Sequence, residues 1–338
     1  MIQGLEFRHQ GPTKVNKAPD KVKLIRTCSI WRSLEVVGDT PTLLIMESYW
    51  FGARRFDEFC RQTGLLKTVV SDRLKRLIRN DCLVKVAYSE KPRRFEYKGT
   101  EQFLDLFPMA LAMLHWERKW SQKPNALEVK LTHTPCRAAT EPLPVCKSCR
   151  AEISPRDVSW KVGPGVGQME ATYSRRRRQT AESGSNTKLL DEVIRIVGDR
   201  WATLILRSLF SGINQFQEIL EDTGMATNIL SDRLSELCQE RVLYTVDVPG
   251  DSRRIEYKLT EKGIGIYPIL LTLLEWGDKW RPAPEGPPLL LTHNLCGKPL
   301  KIEMACSACN KEILVTDTSF ELKISNSRGD NNGKSGSA

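Results

Sequence analysis

From residue 30 onward, apolar side chains recur at helical spacing, and glycines interrupt them at short intervals. Residues 30–37 carry apolar positions three and four apart and stop at Gly38-Asp39, and residues 42–51 form a second apolar helix ending at Gly52. "RRFDEFCRQTG" (54–64) predicts a short helix with Phe56 and Phe59 inward and Gly64 at its C-terminal end. After a short turn, "KTVVSDRLKRLIRN" (67–80) places Val70, Leu74 and Leu77 at i, i+4 and i+7, a single buried stripe. Thr68, Asp72, Lys75, Arg76 and Arg79 fall on the opposite face. The period then switches to two. "LVKVAYS" and "RRFEYK", joined by "EKP", predict a β-hairpin, and a Leu-, Met- and Trp-rich helix over 101–120 closes the series. Short helices, a helix-turn-helix and a basic-tipped hairpin make a winged helix. Its second helix of the pair enters the DNA major groove and its hairpin touches the flanking backbone.

The same pattern returns at an offset of 160 without a gap. "SDRLKRL" (71–77) meets "SDRLSEL" (231–237), "VVGD" (36–39) meets "IVGD" (196–199), and "RRFEYKGTE" (93–101) meets "RRIEYKLTE" (253–261). Pro108, Trp116 and Trp120 meet Pro268, Trp276 and Trp280. A period this long is a duplicated domain rather than a solenoid. The expected fold is α+β, mainly helical: tandem winged helix-turn-helix domains at 26–122 and 188–281, each followed by a small zinc-ribbon-like module, at 123–160 and 282–324. Residues 1–25 read as a disordered basic tail, 161–187 as a flexible linker containing the run Arg175 to Arg178, and 325–338 as a disordered tail.

The modules carry the sharpest chemistry. His133, Cys136, Cys146 and Cys149 spell H-x2-C-x9-C-x2-C, and His293, Cys296, Cys306 and Cys309 repeat it. Three thiolates and an imidazole suit Zn²⁺ and fill its tetrahedral shell, so the expectation is two structural Zn²⁺ per chain, one in each set. A closed shell leaves no position for water or substrate. Only His9 and His115 lie outside the sets, so a hydrolase or Cys/His nucleophile is disfavoured and the chain reads as no enzyme.

Charge adds a partner. The formal net charge of +10 favours an acidic one, and with this fold that is double-stranded DNA. No apolar run reaches membrane-spanning length and the N-terminus lacks the apolar core of a secretory signal, which predicts a cytoplasmic, nucleoid-associated chain without a membrane partner. The copies differ. Residues 67–80 sum to +4, whereas 227–240 sum to −2; the hairpins 83–98 and 243–258 sum to +3 and zero. Candidate DNA contacts in copy 1 are Lys67, Thr68, Ser71, Arg73, Lys75, Arg76 and Arg79 on the helix, with Arg93 and Arg94 on the wing. In copy 2 they are Thr227, Asn228, Ser231 and Arg233, with Arg253 and Arg254. Phosphate contacts dominate affinity, so copy 1 should grip harder, while the polar first turn of copy 2 can read base edges. Arg73 and Arg233 lie about 60° from the buried stripe, close enough to brace the helix against its own domain instead.

"IRIVGDRWATLILRSLFSGINQFQEI", "ILSDRLSEL" and "RRIEYKLTEKG" in copy 2, with "CSIWRSLEVVGD" in copy 1, resemble the HxlR-type winged-helix regulators. The resemblance implies a DNA-binding transcription factor whose relatives work as homodimers through their terminal helices. It also implies a possible redox-sensing role for Cys28, which precedes the first helix. Here Leu111, Leu114 and Trp116 recur as Leu271, Leu274 and Trp276, so the two copies are expected to pack as an intramolecular pseudo-dimer, with a homodimer as the other arrangement. The competing function is a protein-interaction module in which one or both copies have lost DNA binding, and the acidic helix of copy 2 favours it.

Overall fold

The computed structural model describes residues 24–121, 127–170, 189–248 and 251–324. Copy 1 runs β1 (Leu24–Arg26), α1 (Ser29–Val37), α2 (Thr40–Trp50), α3 (Phe56–Thr63), α4 (Lys67–Arg79), β2 (Leu83–Glu90), β3 (Arg93–Gly99), α5 (Glu101–Leu104) and α6 (Phe107–Trp120). Its tail holds β4 (Leu127–His133), β5 (Ala138–Ala139), β6 (Pro142–Cys146), β7 (Val158–Val162) and β8 (Gln168–Glu170). Copy 2 repeats the winged helix as α7 (Asp191–Val197), α8 (Arg200–Phe210), α9 (Phe216–Thr223), α10 (Thr227–Gln239), β9 (Leu243–Val248), β10 (Asp251–Leu259), α11 (Glu261–Ile264) and α12 (Tyr267–Trp280). Its tail holds β11 (Leu289–His293), β12 (Lys298–Pro299), β13 (Ile302–Cys306) and β14 (Thr318–Ile324).

Local chemistry sets the helix ends identically in both copies. The Asp39 carboxylate accepts from the Thr42 amide at 3.0 Å and the Asp199 carboxylate from the Trp201 amide at 2.9 Å, so each aspartate caps the helix after it. Gly64 and Gly224 end α3 and α9 in the left-handed conformation, at φ +66° and +62°, and release the chain into the turn. Val70, Leu74 and Leu77 are fully buried under α4, as are Leu230, Leu234 and Leu237 under α10. Both hairpins form.

The helix expected over 101–120 is broken. Leu106 bonds back to Phe103 at 3.0 Å, and a fresh helix starts at Phe107 with Pro108 in its first turn. Proline has no N–H to donate to the carbonyl four residues back and its ring crowds that turn, so the helical ladder is interrupted ahead of it; Pro268 does the same in copy 2.

The copies are docked reciprocally. α1 lies against α12, and α7 lies against α6. Ser33 donates its hydroxyl to the Leu273 carbonyl at 2.7 Å. The buried Glu117 carboxylate accepts from the Glu192 and Val193 amides at 3.2 and 2.8 Å, capping α7 from the other copy. The matching tryptophans reach across in mirrored fashion: Trp116 Nε1 donates to the Lys262 carbonyl at 2.9 Å, and Trp276 Nε1 to the Gln102 carbonyl at 2.8 Å. Asp39 and Asp199 form an antiparallel bridge where the copies meet.

The tails depart most from expectation. They are not two separate modules, because every long strand of one pairs with a strand of the other: β4 with β14, β7 with β11, and β6 with β13, all antiparallel. Nor is the segment from 161 a free linker at its start. β7 extends to Val162, and β8 pairs with β1, which places residues 24 and 25 of the expected tail in a sheet. Residues 1–23 of the expected tail, residues 171–187 of the expected linker with the run Arg175 to Arg178, and the tail at 325–338 lie outside the described residues.

Candidate functional site

On α4 the side chains of Lys67, Thr68, Lys75 and Arg79 are exposed, Ser71 is half-buried, and the wing presents exposed Arg93 and Arg94. On α10 Thr227, Asn228 and Ser231 are exposed. The Arg254 side chain is exposed and donates to Gln215, whereas the side chain of Arg253 lies outside the described residues.

Three of the expected contacts are committed elsewhere. Arg76 is buried, pairs with Asp39 at 2.5 Å and donates to the Glu35 carbonyl. Arg73 reaches the other Asp39 oxygen at 2.8 Å, and Arg233 holds Asp199 at 2.6 Å. These ion pairs tie each arginine to a half-buried carboxylate of its own domain, so they brace the recognition helices against it. Burial alone would push the Asp39 carboxyl up. The charge and hydrogen bond of Arg73, then the charge of Arg76 and the Thr42 hydroxyl, more than offset this and hold it below the ordinary carboxylate value. Asp39 and Asp199 are the residues that reading the sequence missed. Their signal was present in the paired "VVGD" and "IVGD", which the alignment of the copies exposes.

The eight metal-type ligands do come together, but in different sets from those expected. His133 and Cys136 meet Cys306 and Cys309, while Cys146 and Cys149 meet His293 and Cys296; within each set the ligand atoms lie inside 4.8 Å of one another. The physical reason is the strand exchange. His133 ends β4 and Cys306 ends β13, and the pairings of β4 with β14 and of β6 with β13 carry each half-site to the other copy. Burial would raise the Cys306 thiol, but hydrogen bonds from Thr140 and from the Cys309 and Ala308 amides hold it well below the ordinary range. Cys146 is lowered against its burial by amides of Cys149 and Ser148.

Cys28 is buried, and its sulfur accepts from the Trp31 amide at 3.4 Å as the cap of α1. A sensor thiol needs access to its oxidant, and this one lacks it.

Residues 36–125 and 196–285 match the model of the HxlR-like helix-turn-helix family. The chain belongs to this family. It is accordingly a DNA-binding transcription regulator with two family domains in tandem. An uncharacterized HTH-type transcriptional regulator of Mycobacterium tuberculosis is 35% identical over 128 residues, 38% of this chain and 81% of that protein. The HTH-type transcriptional regulator YodB of Bacillus subtilis is 29% identical over 92 residues, 27% of this chain and 82% of its own length. Both are matched over less than one repeat of the present chain. Among the described residues no helix is long and apolar enough to cross a membrane.

Proposed function

We propose that the two HxlR-like domains, at 26–122 and 188–281, act as one built-in dimer that reads an asymmetric duplex site without a second chain. The observation that carries this is the reciprocal docking of α1 on α12 and of α7 on α6, with mirrored tryptophan bonds. Copy 1 supplies most of the phosphate grip through Lys67, Lys75, Arg79, Arg93 and Arg94, which are exposed. Copy 2 reads base edges through Thr227, Asn228 and Ser231 at the first turn of α10. Each of the two four-ligand sets holds one structural Zn²⁺, since three thiolates and an imidazole leave it no open position. Light scattering and selection of binding sites from random duplexes test the reading together. A single chain per particle is expected, on two unlike half-sites about one helical turn apart. A stable homodimer on a perfect palindrome would overturn it.

A further inference from the structure

The tails of the two copies exchange strands and also exchange metal ligands. We propose that each metal ion is a clasp between the copies, one shared by His133, Cys136, Cys306 and Cys309, the other by Cys146, Cys149, His293 and Cys296. This rests on the reading that the sets hold zinc, and goes beyond it by making the ions cross-links rather than local staples.

The geometry fits the ion. His133 Nδ1 lies 3.3 Å from both Cys136 Sγ and Cys309 Sγ, and Cys136 Sγ lies 3.7 Å from Cys306 Sγ. In the second set His293 Nδ1 is 3.3 Å from Cys149 Sγ and 3.5 Å from Cys296 Sγ. Zn–S bonds of about 2.3 Å and Zn–N bonds of about 2.0 Å at tetrahedral angles give edges of about 3.8 Å between sulfurs and about 3.5 Å between sulfur and nitrogen. The same edges suit Co²⁺ or Cd²⁺ as probes after modest expansion. Binding each ion displaces whatever protons its three thiols still hold to solvent and leaves the oxidation state of sulfur unchanged.

The knuckles that hold the ligands are backbone features of both copies. Arg137 and Gly297 share φ near +60°, at 58° and 68°, just past Cys136 and Cys296; Arg150 and Asn310 share it past Cys149 and Cys309, at 64° and 55°. Each Cys-x-x-Cys knuckle and each His-x-x-Cys turn is therefore locally complete as half a site. What joins two halves is the sheet, and every long sheet pairing in the tails runs between copies. A side-chain bond repeats the choice: Ser307 of the second tail donates its amide to Thr140 of the first at 3.0 Å. A metal shared this way closes a loop from Cys136 to Cys306 rather than one from Cys136 to Cys146. The entropy of closing a loop grows with its length, so the constraint placed on the unfolded chain is larger. It also joins the two copies at a second place besides the α1–α12 contact.

Cadmium-113 NMR on the full chain loaded with ¹¹³Cd²⁺ tests the pairing without any substitution. The β-protons of Cys136, Cys306 and Cys309 should couple to one cadmium, and those of Cys146, Cys149 and Cys296 to the other. A spectrum in which Cys136, Cys146 and Cys149 share one ion would overturn the clasp while leaving the zinc reading intact; failure of the full chain to take up ¹¹³Cd²⁺ would sink both. Metal counting gives an independent check. Cys146→Ser with Cys296→Ser should keep one ion per chain, and Cys136→Ser with Cys146→Ser none; the reverse count refutes the proposal. Neither readout involves DNA, so the DNA-binding reading stands or falls separately.

Discussion

Asp39 carries three jobs with one carboxylate: it caps α2, receives Arg73 and receives Arg76. Replacing it by Asn leaves the buried Arg76 without its charge partner, and stranding a buried charge costs about 3–5 kcal/mol. Asp39→Asn should therefore lower the urea midpoint sharply at neutral pH. The sign of the pH dependence follows from the lowered carboxyl. Its contribution is present in full above the ordinary carboxylate value and is lost as pH falls through the lower folded one, so the wild type and Asp39→Asn should converge as the solution is acidified. Unchanged separation of the two curves at acid pH would contradict this. A related contrast separates bracing from grip. Arg76→Ala should destabilise the fold, whereas Arg94→Ala, at an exposed wing position, should leave the melting temperature alone. Arg94→Ala should flatten the logarithmic salt dependence of DNA binding by about one unit. Equal stability losses for the two variants would show that Arg94 is not simply a phosphate contact. On sequence alone these arginines look alike: a period of 3.6 puts Arg76 on the polar face, and Asp39 and the Glu35 carbonyl, both far back in the chain, pull it inward.

At the scale of elements, most of each winged helix was legible, because its stripes, caps and hairpins are local. The break between α5 and α6 was missed: Pro108 signals it, but the apolar run on both sides masks it. What was not legible is how elements of one copy meet those of the other. Glu117 and Gly277 occupy matching positions and do opposite things: one caps α7 with a carboxylate, the other lets the Ser29 carbonyl approach α12. A Cβ at Gly277 would lie 2.2 Å from that carbonyl oxygen, and the obstacle is backbone rather than a flexible tip. Gly277→Ala should therefore force the helices apart and cost about 1–3 kcal/mol, read as a lower urea midpoint at unchanged slope. A silent Gly277→Ala would mean that α1 and α12 dock more loosely than described.

For the whole molecule, the ligand residues were all identifiable from spacing, yet their grouping was not. Two modules with identical x2 pairs and an identical nine-residue arm satisfy a metal equally well within a copy or between copies, and the choice rests on strand pairings between segments far apart in sequence. The same near-identity has a testable corollary. A chain of residues 1–170 contains every strand type that the tails use, so two such chains can supply to each other what copy 2 supplies here. Size-exclusion chromatography with light scattering should find that fragment dimeric when loaded with zinc; a metal-loaded monomer would argue that its knuckles can pair within one chain after all.

The interleaved strands also bear on how the chain is made. β4 leaves the ribosome early, but the strand that pairs with it, β14, follows nearly two hundred residues later. At about 5–20 residues per second, that delay is on the order of ten to forty seconds. Through that interval the first winged helix is complete while its tail has an unpaired edge and half-filled knuckles. Ribosomes that stall just before residue 318 would leave a product that can present α4 to DNA but leaves the β4 edge unpaired.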